Sequence, residues 1–280
     1  MKKSSKIIIF VCGILAAIAI IIVFTIMSRN DNKGKTEVSK NTIQNDNLNI
    51  ISNTSTARTY INIKYETTSK VYEIAGTKHT ITVNQDFPTI IASDESVKNI
   101  MQGVLDKIAN DEFSDFKKQV EDRINDKYGI DAEFMEYVGD LSLSWKFVNS
   151  RNDDKVVSVK NESEGDLGGV SWSSKRGYSF SSKTGQLLKI EDIAIHEKAL
   201  KKYLNETIVK YLKTNSQDLG LNQEIMNDID KYVNIDELTW YFSDSGLTVC
   251  FEKYNFSVDT FDYTIEYSKL DGYVKPEYLK

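Results

Sequence analysis

The groups in this chain that could do chemistry are mostly carboxylates. Asp111, Glu112 and Asp115 lie close together, Glu162, Glu164 and Asp166 alternate further on, and Glu191 and Asp192 are adjacent. A glycoside-cleaving pair needs two carboxyls about 5–10 Å apart, one of them in a desolvated site. Sequence spacing fixes no such pair, so solvated charge is the plainer reading and no catalytic residue is assigned. The histidines, His79 and His196, lack any paired Cys or Asp-x-His spacing, so no metal site is assigned. His79 falls at a strand start and His196 at the start of a helix, places that suit surface or capping roles. Cys250 lies mid-strand without a basic neighbour in sequence, which describes an inert buried thiol better than a nucleophile. No cofactor is expected.

A binding contact is easier to read. Glu162, Glu164 and Asp166 form an acidic loop, and Trp172 follows in a Gly/Ser-rich loop. An exposed indole beside clustered charge is a strong anchor for a ligand. Glu162, Glu164, Asp166 and Trp172 are therefore the expected ligand-binding residues. Trp145 alternates with Leu141, Leu143 and Phe147 and is expected in the core.

The element that would position all of this is the apolar run Ile7–Met27, 21 residues without a charge. As a helix rising ~1.5 Å per residue it spans about 30 Å, the thickness of a bilayer core. Lys2, Lys3 and Lys6 precede it and no small-x-small cleavage site follows it, so it reads as a retained anchor with residue 28 onward outside. Residues 1–6 form a cytoplasmic stub, 7–27 the membrane helix and 28–57 a polar, flexible tether. Beyond the basic flank, 32 Lys and Arg face 41 Asp and Glu, a net charge of −9. That balance repels phosphate backbones and argues against nucleic acid as a partner. With Cys12 in the apolar run and Cys250 outside it, no intrachain disulfide staples the exterior part.

The exterior part is expected to be α+β, in two β–α–β blocks with antiparallel sheets packed on helices: residues 58–173 and 174–280. Loose alternation at Tyr60–Tyr65, Val71–Ile74 and Thr80–Val83 predicts two or three strands, the last ending before Phe87-Pro88. Ser93 or Asp94 caps a helix with apolar residues from Val97 to Ile124, one slip near Asn110–Asp111, and Gly129 past its end. Strands are expected at Leu141–Phe147, Val156–Val159, Tyr178–Phe180 and Leu187–Ile190, then helices at Glu197–Lys213 and Gln223–Tyr232. Three closing strands are read at Leu238–Phe242, Leu247–Phe256 and Phe261–Tyr267.

Tyr178, Phe180, Thr184, Gly185, Leu188, Ile190, Asp192 and Ile193 fit a pattern Y-x-F-x-x-x-T-G-x-x-L-x-L-x-D-L. The stretch Trp240–Phe256, with Asp244, Gly246, Leu247, Phe251 and Tyr254, fits its partner pattern. Together they resemble the C-terminal domain of the extracytoplasmic region of RsiV-type anti-sigma factors, a domain of unknown function also found beside polysaccharide deacetylases. The Gly168-Gly169 pair falls where that family often places one, and Ser257–Phe261 replaces the family's Pro-Tyr-Ala turn after Tyr254. The resemblance implies a surface module that binds a lysozyme-like protein or associates with peptidoglycan. A six-residue stub is too short to hold a sigma factor, and there is no deacetylase domain. The expected function is an anchored binding module for a wall-associated ligand; the alternatives are a structural ectodomain without a ligand, or a carboxylate-dependent glycan hydrolase.

Overall fold

The computed structural model describes residues 39–40, 61–74, 78–124, 141–168, 171–221, 223–253, 256–257 and 259–280. All belong to one compact unit, Glu37–Lys280. The expected membrane helix Ile7–Met27 and the expected helix end at Gly129 lie outside the described residues. Among the described residues no helix is long and apolar enough to cross a membrane.

Six strands form the first sheet in sequence order: β1 (Ser39–Lys40), β2 (Ile61–Glu73), β3 (Thr80–Ala92), β4 (Leu141–Asn152), β5 (Val156–Asp166) and β6 (Ser171–Ser181). Two residues of the expected tether are thus paired: Ser39 opposite Ser69 and Lys40 opposite Thr68. Neighbours are antiparallel except β3 and β4, which run parallel. A parallel pair needs a long crossover, and α1 (Glu95–Ile124) supplies it. Asp94 caps this helix as expected, its Oδ1 accepting from the N–H groups of Ser96 (2.8 Å) and Val97 (3.3 Å). Val97, Met101, Leu105, Phe116 and Val120 are buried on its sheet-facing stripe, with Leu143, Trp145 and Phe147 in the same cluster. Each large side chain so buried contributes about 1.5–3 kcal/mol.

Two expectations are corrected here. β2 and β3 are single 13-residue strands, and β3 runs through Pro88 to Ala92 instead of stopping before Phe87. Pro88 is tolerated because β4 pairs with β3 only as far as Asp86, so Pro88 sits where that side of β3 has become an edge. Gln102 of α1 stands in for the missing strand: its Nε2 donates to the Pro88 carbonyl (3.2 Å) and its Oε1 accepts from the Ile90 N–H (2.8 Å). Likewise α1 is one continuous helix through Asn110–Asp111.

After β6 the chain turns through Gly185, whose φ is +71°. A Cβ there would lie 2.5 Å from the Val97 carbonyl oxygen, so the turn also packs on the first turn of α1. Short α2 (Ile190–Ile193) leads to α3 (Glu197–Thr214). The expected helix Gln223–Tyr232 is two short turns, α4 (Gln223–Met226) and α5 (Ile229–Tyr232). Then come β7 (Thr239–Phe242), β8 (Gly246–Phe251) and β9 (Phe261–Glu266), an antiparallel three-stranded sheet, and α6 (Tyr267–Leu270). This sheet packs on the face of the first sheet turned away from α1. Phe242 N–H donates to Ser179 Oγ (2.9 Å), and the Tyr241 ring fills the space where a Gly177 Cβ would be. On its far face Leu247, Val249 and Phe251 cluster with Leu200, Leu204, Ile208 and Leu212 of α3. All six residues of β8 are buried, as covering on both faces requires. The result is a mixed α+β fold of four layers: helix, sheet, sheet, helix. The boundary placed at residue 173 falls inside β6, a strand of the first sheet.

Arg151 crosses the seam between the sheets with 2% of its surface exposed. Its Nε donates to Asp153 Oδ2 (2.6 Å) and its Nη1 to Tyr267 Oη (2.7 Å) and the Tyr278 carbonyl (2.6 Å). The guanidinium carbon also sits 5.4 Å from the Phe242 and Tyr267 ring centres. Removing this cation takes the guanidinium donor from the Tyr278 carbonyl and the Tyr267 oxygen and leaves Asp153 with its backbone donors alone. Arg151→Ala is expected to lower unfolding free energy by about 3–5 kcal/mol in a denaturant titration. Burial pushes the Asp153 carboxyl up, but the bonds from Arg151 and from the N–H groups of Val156 and Lys155 outweigh it and hold the carboxyl below its usual range. Its folded pKa is depressed, so its contribution is present above the unfolded value of 3.8 and is lost as pH falls through the folded value. That acid-side loss is expected to be absent in Asp153→Asn.

Candidate functional site

Strand alternation sorts the polar residues of β5 and β6 onto two faces. On the α1 side lie Asn161, Ser163 and Gly165, opposite Arg176, Ser174 and Trp172; on the other side lie Glu162, Glu164 and Asp166, opposite Lys175, Ser173 and Ser171. The acidic residues expected on a loop are therefore one face of a strand. Trp172, expected on an exposed loop, is half-buried on β6, its ring 6.3 Å from that of Phe116. A Cβ on Gly165 would lie 2.5 Å from the Trp172 Nε1, so the indole lies flush against a glycine. That Nε1 is buried and has no partner among the described residues.

On the α1 side, Glu112 occupies a place on the sheet-facing stripe that an apolar residue would otherwise take. It accepts from Asn161 Nδ2 (3.0 Å) and Ser163 Oγ (3.3 Å). Arg176 Nη1 stands 3.6 Å from Glu112 Oε1, while Arg176 Nε donates to Glu252 Oε1 at 2.6 Å. Ser174 Oγ also donates to Glu252, at 3.2 Å. One guanidinium thus bridges a carboxylate from α1 and one from the chain just past β8. Burial drives the Glu112 carboxyl above its ordinary 4.5, with repulsion from Glu252 adding to it; Arg176, Asn161 and Ser163 oppose the shift without cancelling it. Asp115, one turn on, is also raised, by burial and then by the charge of Asp111.

These groups open onto a cleft of about 230 Å³ between α1 and the β6 edge, with Glu252 and Lys253 on its far side. A second cleft, of about 400 Å³, lies over Ser142, Ser144, Glu164, Asp166 and Ser171. The two share Trp172, Ser173 and Lys253 and flank the edge strand β6, the first on the α1 face that carries the indole and the second over the opposite face. Of the expected residues, Glu164, Asp166 and Trp172 line the second cleft. Glu162 does not line either cleft; it pairs with Lys160 at 2.7 Å and sits between Lys146 and Lys175 in the ladder. Arg176 and Glu252 carry no mark in the sequence that singles them out. Glu112 did carry one, the slip in the apolar stripe.

Elsewhere, Cys250 is 1% exposed and burial pushes its thiol up, which leaves it unreactive. His196 is the N-cap residue of α3, exposed and without a side-chain cap bond, so of the surface and capping roles expected for it the structure gives the surface one. Among the described residues no three His, Cys, Asp or Glu side chains are grouped to hold a metal ion.

Two outcomes are expected. The folded pKa of Glu112 exceeds its unfolded value, so its stabilising contribution is full below 4.5 and is lost as pH rises through the folded value. Urea melts across that window are expected to show this falling slope in the wild type and not in Glu112→Gln. Gly165→Ala is expected to displace the indole, read as a red-shifted, more quenchable Trp172 emission, with a stability loss of about 1–3 kcal/mol from overpacking.

No family model and no curated protein matches the chain. Solved structures do. A DUF3298 family protein from Pseudomonas aeruginosa superposes with a TM-score of 0.51 at 14% identity, over 79% of this chain and 97% of its own. A member of the DUF3298 family from Bacteroides fragilis gives 0.55 at 12% identity, over 79% and 96%. At such identities the likeness is one of fold: this chain has the mixed α+β, two-sheet architecture of those DUF3298 structures.

Proposed function

We propose that the chain is a single-pass, outward-facing binding module, anchored by Ile7–Met27 in the cell membrane, whose clefts beside Trp172 take the glycan of peptidoglycan. The observation that carries this reading is the pair of clefts. The second is lined by hydroxyls and carboxylates, Ser142, Ser144, Ser171, Glu164 and Asp166, with Trp172 at its margin. Sugars offer apolar C–H faces that stack on aromatic rings and rings of hydroxyls that bond to such side chains. Two neighbouring clefts suit a chain of residues better than one compact ligand. The resemblance to RsiV-type ectodomains points to the same zone of the cell.

The lysozyme-like partner implied by that resemblance is the second reading. The net charge of −9 favours it, but the acidic face offers little bare charge, since Glu162 is matched by Lys160 and flanked by Lys146 and Lys175. The hydrolase reading is weaker. Glu112, the carboxyl with the raised pKa, is tied down by Asn161 and Ser163 from beneath and faced by Arg176, an arrangement that serves packing rather than proton delivery.

Calorimetric titration of the full-length chain in detergent, with soluble peptidoglycan glycan fragments and separately with lysozyme at low and moderate salt, tests this. Saturable glycan binding is expected, weakened about tenfold by Trp172→Ala without loss of the thermal transition. Heat from lysozyme alone, falling steeply with salt, would transfer the module to the protein ligand. Silence from both would sink both readings, and release of reducing ends from the glycan would make the protein an enzyme.

A further inference from the structure

We propose that the outer edge of β2 is a docking strip for the chain's own tether, along which residues 38–43 lie as one strand. The proposal is independent of what the clefts bind. β2 is 13 residues long and lies next to the margin of the first sheet. Its inner side pairs with β3 over its whole length, from Ile61 opposite Ala92 to Glu73 opposite Thr80. On its outer side the only strand among the described residues is β1, which engages Thr68 and Ser69. Most of a long edge is thus left as a template for a further strand. It carries no proline to blunt it, and Lys64, Tyr65, Glu66 and Thr67 are exposed in succession.

The register names the occupant. Ser39 opposite Ser69 and Lys40 opposite Thr68 fix an antiparallel alignment. Continued without a slip, it brings Val38 opposite Lys70, Asn41 opposite Thr67, Thr42 opposite Glu66 and Ile43 opposite Tyr65. No like charges face each other in this alignment. Val38 and Ile43 are also the only large apolar residues between Ser28 and Asn47. They are five apart, so they fall on opposite faces of a strand. Each then meets a tyrosine of β2. Ile43 comes directly opposite Tyr65, which is 36% exposed. Val38 comes diagonal to Tyr72, whose ring lies 4.4 Å from that of Phe113 on the α1 side. Cross-strand pairs of a β-branched and an aromatic residue, direct or diagonal, stabilise antiparallel strands. The path is open to the chain, since residues 44–60 are ample to return from Ile43 to Ile61 at the start of β2. Docked there, the tether keeps only residues 28–37 free toward the apolar run, in place of 28–57. By the square-root scaling of a flexible coil its reach falls to roughly 60%. The strip therefore sets how far the module can stray from its anchor.

The test uses the full-length chain in detergent, with Cys12→Ser so that the buried Cys250 is the only native thiol. Asn41→Cys with Thr67→Cys is the pair placed opposite; Asn41→Cys with Glu73→Cys is a pair six positions out of register. Oxidation is expected to close the first bridge within the chain about tenfold faster than the second, because only the first brings its Cα atoms within disulfide reach. Trypsin gives a readout on the wild type: Lys40 is expected to be cut about tenfold more slowly than Lys35, which lies outside the strand, since cleavage follows the open population. Ile43→Asp is expected to abolish that protection while the thermal transition of the folded part stays in place. Equal rates for the two bridges, or equal cutting at Lys35 and Lys40, overturn the proposal. Protection of Lys40 that survives Ile43→Asp confines the strand to β1 and overturns it too. A bridge that joins two chains instead of closing within one assigns the edge to a second copy, which likewise overturns it.

Discussion

Two arginines of the first sheet hold the second sheet in place, and the deeper one sets the terms for everything else. Arg151 is a cation without solvent, and its cost is offset only because Asp153, Tyr267 and the Tyr278 carbonyl converge on it while two aromatic faces flank it. Those partners come from a turn after β4, from the first residue of α6 and from the turn Pro276–Tyr278. The stacking of one sheet on the other is thereby specified at a single point, in distance and in angle. Tyr267 passes the network on to the Ser243 carbonyl at 2.7 Å. Arg176, on the α1 side of the edge strand β6, ties the chain just past β8 to α1 through Glu252 and Glu112, and there the carboxylates it serves face a cleft. The network at Arg151 is closed to solvent, and the one at Arg176 is open to it. That contrast is what distinguishes a fixed point of the architecture from a place that a ligand can reach.

Much of the architecture follows from patterns that a single strand or helix carries by itself. Leu141, Leu143, Trp145 and Phe147 alternate and are all buried, and the stripe of α3 from Leu200 to Leu212 faces β8 as its spacing dictates. What the patterns do not carry is partnership across distance. β3 outlasts its neighbour β4: past Asp86 it stays paired with β2, and on the other side Gln102, a residue of another element, takes bonds that β4 no longer makes. The two short turns α4 and α5 read as one helix because Ile225, Met226 and Ile229 keep helical spacing across the break.

The site was legible in pieces. Glu164, Asp166 and Trp172 do line one cleft, but as strand residues from opposite faces of one sheet. Their Ser and Gly neighbours made β5 and β6 look like loops, because serine and glycine weigh against strands when packing is ignored. Glu112 was visible as one of three neighbouring carboxylates, but its burial was not: with Leu105, Ala109, Phe116 and Val120 buried around it, the stripe reads as slipping where it in fact continues through a carboxylate. Arg176 and Glu252 are 76 positions apart and meet through tertiary structure alone.

The contact between Arg151 and the Tyr278 carbonyl also bears on when the fold can close. Asp153 lies two positions from Arg151, but the arginine's other two acceptors, Tyr267 and the Tyr278 carbonyl, lie 116 and 127 positions away in sequence. The first sheet and α1 draw mainly on neighbouring strands, whereas the docking of the second layer draws on contacts of high separation. Such contacts carry the larger loop-closure cost, so the seam rather than either sheet is the slow element of the topology.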